Sequence, residues 1–388
     1  MMNAHMNHRH LLAFAKTYEL GTLLAAARTI HITQPAVTQG IMRLEAQLNH
    51  RLFDRQSDGM CPTQAAELLY PRVTKALEFI GSNRVTRTQM LAFLSLARHG
   101  SYAEASTATG LARPSLHRAV TDLEQALGID LVRRRGRGVE LTALGQSTAR
   151  RFNLAQSELN AGLDDLRALA LEGSGCVVIG AMPLCRARVL PNAIVEFREK
   201  YSEVEISIAE GSHIELIEPL RNGELDFLIG ALRDPPPGAD LVQEPLFDDC
   251  PVILGRFDHP LAKYQQNAPA AALTRYEWCI PQKGIPLRDR WEAHFMSEGL
   301  MPPRVSVECG SGIAIRQILM KTDFLTLLSL DQVAVELEAG WLTVIGRMPQ
   351  TLTRTIGLTY REGWLPTRTQ KAFIETLRGV CDAPSSFV

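Results

Sequence analysis

Apolar residues recur at helical spacing through the first 170 or so positions, and the pattern occurs twice. Val37, Ile41, Leu44 and Leu48 fall at i, i+4, i+7 and i+11, the spacing of one helix face. Leu116, Val120, Leu123 and Leu127 repeat it 79 residues later. A shift of 79 aligns the two segments without gaps. Phe14 falls on Phe93, Gly21 on Gly100, Ala26 on Ala105 and Pro35 on Pro114. Leu44–Glu45 falls on Leu123–Glu124, Leu48 on Leu127, Leu52 on Leu131, Arg55 on Arg134, Gly59 on Gly138 and Thr63 on Thr142. Most matches are apolar, Gly, Pro or Thr, the residues a fold constrains. That predicts a duplicated domain.

Each copy predicts the same elements. A first helix spans roughly 9–19 or 88–98 and ends at a glycine. Thr22 and Ser101 are placed to cap a second helix, and Ser101 with Glu104 has capping-box spacing. That helix ends near Ile30 or Thr109. A third opens with Pro35 or Pro114 in its first turn, where the missing N–H costs nothing. Opposite its apolar face lie Gln34, Thr38 and Gln39 in one copy, and Arg113, His117 and Arg118 in the other. Two helices joined by a tight turn, the second with a polar N-terminal edge, suit a DNA major groove. Gln and Arg can pair bidentately with bases. One such edge alone equally describes a solvated helix surface. Gly40 weakens the first of these helices by about 1 kcal/mol relative to Ala. The segment DLVRRRGRGVELT, at the end of the second copy, tips the balance towards DNA. Arg133, Arg134, Arg135 and Arg137 flank a hairpin turn, forming a basic wing suited to phosphates. The first copy has the less basic DRQSDGMCPT.

These segments resemble the LysR-type transcriptional regulators. The resemblance rests on TQPAVTQGIMRLEAQLNHRLFDR and PTQAAELL in the first copy, and on RPSLHRAVTDLEQALGIDLVRR and LTALGQ in the second. The family normally has one such module; here it is duplicated. By resemblance, Thr33, Gln34, Pro35, Thr38 and Gln39, with Arg113, Pro114, Ser115, His117 and Arg118, face promoter DNA. The two edges differ, so the modules prefer different sequences, or one holds only the backbone. A linker helix follows each wing, at about 63–82 and 142–172. The second carries Leu154, Leu159, Leu163, Leu166 and Leu169, and is about 45 Å long. In the family such helices pair antiparallel between subunits. Two arrangements are open: an internal pseudo-dimer within one chain, or an intermolecular dimer on the second linker with the first module as an appendage.

The later half alternates strands and helices, starting after GSG at 173–175. CVVIGAM, VEISIAEG and ELDFLIG read as strands, and LPNAIVEFREKY and HIELIEPLRNG as helices, predicting a parallel sheet covered by helices. GELDFLIG, HPLA and TIGLTYRE resemble the family's effector domain, which has two α/β lobes of periplasmic-binding-protein type. The expected units are a first winged helix-turn-helix with a short linker helix (1–83), a second (84–141), a dimerisation helix (142–173) and an effector domain (174–388). Within the last, lobe I is 174–247 with 350–388, and lobe II is 248–349. The resemblance places the effector between the lobes. Candidate contacts are Met182, Pro183 and Leu184, then Glu210, Gly211 and Ser212, then Gln282 and Lys283, and finally Cys309, Gly310 and Ser311. Free N–H groups at helix N-termini favour an anion, so a small carboxylate effector is implied. Met-Pro-Leu, however, offers no hydroxyl at the first turn. Ser311 also suits a helix cap, and Lys283 a surface charge.

Composition changes this picture little. Of 388 residues 46% are hydrophobic and 21% charged, a globular balance. Residues 1–173 hold 20 Lys/Arg and 15 Asp/Glu, a net of +5; the remaining 21 and 27 give −6. A basic front and an acidic back suggest different partners. No run approaches the ~18 apolar residues of a membrane span, and no signal peptide is evident. The seven scattered cysteines have no metal-ligand spacing and are read as reduced, mostly buried thiols. His5, His8 and His10 form an H-x-x-H-x-H run on an N-terminus expected to fray, and it is not read as a metal site. No G-x-S-x-G, H-E-x-x-H or P-loop appears. The expectation is a cytoplasmic DNA-binding regulator rather than an enzyme, without cofactor or metal, working as a homodimer or homotetramer. RNA polymerase is left open as a further partner. Competing readings are an effector-independent repressor, and a small-molecule-binding protein whose front half mediates protein contacts.

Overall fold

A computed structural model describes residues 6–56, 59–136, 138–170, 174–348 and 352–382. The front half begins with α1 (His8–Leu20), α2 (Leu23–Thr29), α3 (Gln34–Leu48), β1 (Phe53–Gln56), β2 (Gly59–Pro62) and α4 (Gln64–Ile80). There follow α5 (Arg87–His99), α6 (Tyr102–Thr109), α7 (Arg113–Leu127), β3 (Val132–Arg135), β4 (Gly138–Leu141) and α8 (Ala143–Ala170). Every element of the second set starts 79 residues after its counterpart.

The repeated residues make repeated bonds. Glu45 accepts from the backbone N–H of Leu52 (2.8 Å) and Phe53, and Glu124 accepts from Leu131 (2.8 Å) and Val132. Each carboxylate thereby ties its long third helix to the start of the hairpin. Thr63 donates to Arg51 O and Thr142 to Asp130 O, closing each hairpin's far end. The hairpin also docks on the first helix's terminus: Met60 N donates to Gly21 O, and Val139 N to Gly100 O. Close approach explains the paired glycines, since a Cβ on Gly59 would lie 2.6 Å from Gly21 O and one on Gly138 2.9 Å from Gly100 O. Gly40 has a similar role. Its missing side chain lets α1 approach α3, where a Cβ would meet the His10 ring at 3.3 Å. The expected capping box at Ser101 is half formed, with Ser101 accepting from Glu104 N; Thr86 and Gln89 form a complete one at the start of α5.

α4 and α8 pack antiparallel within the one chain. Arg72 lies opposite Glu158 and Asp165, Leu69 and Arg72 lie over Gly162, and Arg151 reaches Glu78 O near the end of α4. At 28 residues α8 is about 42 Å long. One apolar core runs through both modules and both long helices. Phe14 and Phe53 pack in the first, Phe93 and Phe152 in the second.

The back half holds two α/β units. The first contains β5 (Cys176–Ala181), a 3-10 turn (Pro183–Cys185), α9 (Val189–Lys200), β6 (Glu205–Glu210), α10 (His213–Arg221), β7 (Phe227–Ala231) and β8 (Leu241–Asp249). The second runs through β9 (Val252–Arg256), a turn (Pro260–Tyr264), α11 (Ala270–Leu273), β10 (Trp278–Ile280) and α12 (Pro286–Ser297). It continues with β11 (Val305–Glu308), α13 (Gly312–Leu319), β12 (Thr326–Leu328), a turn (Leu330–Val333), α14 (Ala334–Glu338) and β13 (Leu342–Arg347). The chain then returns through β14 (Arg354–Arg361) and α15 (Arg368–Asp382). The first sheet has the order β6-β5-β7-β14-β8. The expected parallel sheet is correct for β6, β5 and β7, but β14 runs antiparallel to both β7 and β8. The sheet is mixed because β14 is the returning strand. In the second unit β12-β9-β13 is antiparallel and β10-β11 parallel, linked by a Trp278–Leu325 bridge. Phe197, Phe227 and Phe373 fill one core, and Trp278, Trp291 and Phe295 the other.

The cysteines need correction. All seven are free, but only Cys185 and Cys279 are buried; Cys61 is exposed and the rest are half-buried. Of the histidine run, His5 lies outside the described residues. The terminus is not frayed at His8, which opens α1 and is buried with Nδ1 3.0 Å from Val85 O, its pKa lowered chiefly by burial. No helix among the described residues is long and apolar enough to cross a membrane.

Candidate nucleic-acid interface and effector cleft

The third helix of each module is anchored by its apolar face, and this leaves its N-terminal edge outward. On α3, Val37, Ile41, Leu44 and Leu48 are buried, while Thr33, Gln34, Pro35 and Gln39 are exposed. Thr38 is half-buried, and its hydroxyl donates to Gln34 O at 3.1 Å. On α7, Leu116, Val120 and Leu123 are buried, while Arg113, Pro114, Ser115, His117 and Arg118 are exposed. The His117 ring lies 5.2 Å from that of Tyr102. Arg118, 85% exposed, stands 3.8 Å from Asp122, a contact too solvated to hold it.

The wing is less uniformly basic than its arginine count suggested. Strand register sets Arg133 opposite Glu140. Glu140 pairs with both Arg133 (2.9 Å) and Arg135 (3.0 Å). Side chains alternate along a strand, so Arg134 points to the other face, where it is exposed. Arg137 lies outside the described residues. Reading VELT as the partner strand would have revealed Glu140, since Thr142 closes the ladder beside Leu131.

In the back half, Met182 N donates to Ile229 O, and the Met182 side chain fills the space over Gly230. Leu184 is buried; Pro183 is half-buried. Glu210 pairs with Arg186, and Gly211 N reaches Ala181 O, so the first two candidate groups lie side by side. Ser212 N and Oγ both donate to the Glu215 carboxylate, at 2.8 and 2.7 Å. These bonds hold Glu215 below its usual range. Ser212, the N-cap of α10, thus already serves an anion of the chain's own. Gln282 and Lys283 are exposed on the loop after β10. Cys309 N donates to Ile280 O, bringing Cys309, Gly310 and Ser311 next to that loop. Ser311 accepts from Ala314 N and caps α13.

Several groups went unread in the sequence. At the crossover between units, Arg354 donates to Asp249 (2.8 Å) and Ser329 (2.9 Å), and Ser329 donates to Asp249 (2.7 Å). Arg188 pairs with Asp331 across the same boundary. His213, beside Ser212, has a buried Nε2 with no hydrogen-bond partner, and burial first, then Arg233, lowers its pKa. A cleft of about 820 Å³ opens between α8 and the first α/β unit, lined among others by Asn160, Asp164, Glu205, Asp226 and Gln370. None of the candidate effector residues lines it. Asp226 there is pushed up to about 6 by burial, against a bond from Val178 N. No group of three metal-binding side chains occurs among the described residues.

Comparison with known proteins places these parts. The family model described as LysR substrate binding domain matches residues 171–382. The model described as bacterial regulatory helix-turn-helix protein, lysR family, matches twice, at 8–67 and 88–146. The HTH-type transcriptional regulator GalR of Pseudomonas putida is 31% identical over 96% of this chain and 97% of its own length. The SDS degradation transcriptional activation protein of a Pseudomonas species is 30% identical, covering 75% of this chain and 94% of its own. A full-length OxyR variant from Pseudomonas aeruginosa shares the fold at a TM-score of 0.56 and 23% identity, over 77% of this chain and 95% of that one. CbnR, a LysR family regulator, does so at 0.54 and 20%, over 76% and 98%. The chain belongs to the LysR family of bacterial transcriptional regulators, with helix-turn-helix DNA-binding structure in front and a substrate-binding effector domain behind.

Proposed function

We propose that both front modules are winged helix-turn-helix units that face promoter DNA, and that a small molecule entering between the two α/β lobes controls them. The observation that carries this reading is the repeat itself: the same elements, at an offset of 79, present two exposed polar edges on α3 and α7. Thr33, Gln34, Pro35 and Gln39 serve one groove, with Thr38 supporting the helix from within. Arg113, Pro114, Ser115, His117 and Arg118 serve the other. Arg134 takes phosphate directly, and Arg133 and Arg135 do so in competition with Glu140. The lobes are of periplasmic-binding-protein type, with the Asp249–Ser329–Arg354 network at their crossover. Effector contacts come from Met182, Pro183, Leu184, Glu210, Gly211 and Ser212 on one side, and Gln282, Lys283, Cys309, Gly310 and Ser311 on the other. The protein acts as a homo-oligomer, and an effector shifts the relative placement of its subunits and hence of the DNA-binding modules that they carry.

Mobility shift with the protein's own promoter tests the DNA reading. Affinity falls steeply with salt, as counterion release requires. Arg118→Ala lowers discrimination between promoter and random DNA; unchanged discrimination removes Arg118 from the reading edge. Calorimetry against small carboxylates tests the effector reading, with binding expected to alter DNA affinity.

A further inference from the structure

We infer that a single chain is the complete DNA-reading pair, and that its operator is non-palindromic. The inference rests on the proposed reading of α3 and α7 as recognition helices. Paired helix-turn-helix modules read two half-sites whose symmetry mirrors their own. Here the pairing contact lies inside the chain, and the two edges it joins are chemically unlike.

The α4–α8 contact is heterotypic. Arg72 on α4 is 5% exposed; it binds Glu158 at 3.1 Å and Asp165 at 3.0 Å, carboxylates that are 9% and 7% exposed. Lys75 adds a second cation, 3.3 Å from Glu158. The positions 79 residues before the two acids are Phe79 and Thr86, which carry no charge. An α4 packed on a second α4 would therefore bury two arginines without their acids, a costly exposure of unpaired charge to a low dielectric. An α8 from a second copy would offer Arg151, the counterpart of Arg72, to the same acids. In this structure α4 occupies that position.

The connector supports pairing in cis. Between the end of α4 and the start of α5 lie the six residues 81–86. Val85 O is held by His8 of the first module, and Arg151 of α8 reaches Glu78 O. The end of α4 thus already sits against the helix that carries the second module. Arg72 and Lys75 also donate to Leu365 O and Gly363 O, between β14 and α15, so the same contact continues into the effector domain.

The two edges of this fixed pair then read different bases. Gln34 and Gln39 suit adenine; Arg113 and Arg118 suit guanine. A homodimer formed on α8 would instead set two α7 edges on a palindrome, with guanine contacts in both halves.

Selection of bound duplexes from random DNA by the full-length protein tests this directly. The shortest enriched motif should contain two unlike halves. The double variant Gln34→Ala/Gln39→Ala should relax one half and Arg113→Ala/Arg118→Ala the other, each weakening binding by about 5- to 150-fold. Co-expressing the two variants should not restore parental affinity, because no chain then holds an intact pair. A palindromic motif, or restored affinity in the mixture, overturns cis pairing while leaving the recognition edges standing. Loss confined to one variant overturns the two-edged pair. Unchanged binding by both variants overturns the recognition-helix reading itself.

Discussion

Glu45 and Glu124 make the same two backbone bonds in the two front modules, whereas Gln39 and Arg118, at equivalent positions, share only their exposure. The contrast separates two kinds of constraint. Where a side chain ties helix to hairpin, or a glycine admits a neighbour's carbonyl, the same residue stands in both modules. Where the scaffold leaves an edge in solvent, the two modules differ, with Gln34 and Gln39 on one and Arg113 and Arg118 on the other. The long helices differ in a third way, as complementary partners, with the cations on α4 and the acids on α8.

Breaking the complementary contact should have the largest effect. Arg72→Ala leaves Glu158 and Asp165 buried without their main cation, and should cost about 3–5 kcal/mol of stability by chemical denaturation. A loss comparable to that at an exposed pair such as Arg118–Asp122 would mean that the contact opens in solution. The shared tie is next. Glu45→Ala and Glu124→Ala each orphan two backbone N–H groups, and should cost about 1–3 kcal/mol, nearly equal in the two modules and additive when combined. Unequal losses would show that one module carries more of the shared core.

The wings sharpen the comparison on the DNA side. Glu140→Gln removes the carboxylate that holds Arg133 and Arg135. The slope of log affinity against log salt should steepen by about 0.9 for each arginine that then reaches a phosphate. Arg55→Ala, in the less basic first hairpin, should change that slope less than Arg134→Ala. The smallest effect concerns Gly40, whose counterpart is Ala119. Gly40→Ala alone should recover less than the ~1 kcal/mol of helix propensity, because the new methyl group meets His10. Combined with His10→Gln, the residue of the second module, it should recover most of it.

Much of this was legible because the repeat is a statement about packing. A shift of 79 that superimposes apolar, Gly and Thr positions requires two similar cores, and helix starts follow from Pro35, Pro114 and the capping residues. The family resemblance was legible separately, in the helix-turn-helix and hairpin segments of each copy. Three things were not. The partner of the Arg133–Arg135 run lay across the hairpin, where pairing decides the neighbour rather than sequence distance. The mixed sheet depended on the direction of β14, which alternation of strand and helix does not encode. Arg72 carried no signal in the sequence, because its acids lie 86 and 93 positions away along the chain. The candidate effector residues were the least legible part, since they come from four separate turns, and Glu215 already accepts from both Ser212 N and Ser212 Oγ.

Hydroxyl-radical footprinting of the full-length protein on its own promoter, repeated with each edge variant, tests the central claim most directly. Two separately protected stretches are expected, one lost with Gln34→Ala/Gln39→Ala and the other with Arg113→Ala/Arg118→Ala. A footprint that the first-module variant leaves intact would contradict the account, leaving that module as scaffold for the other.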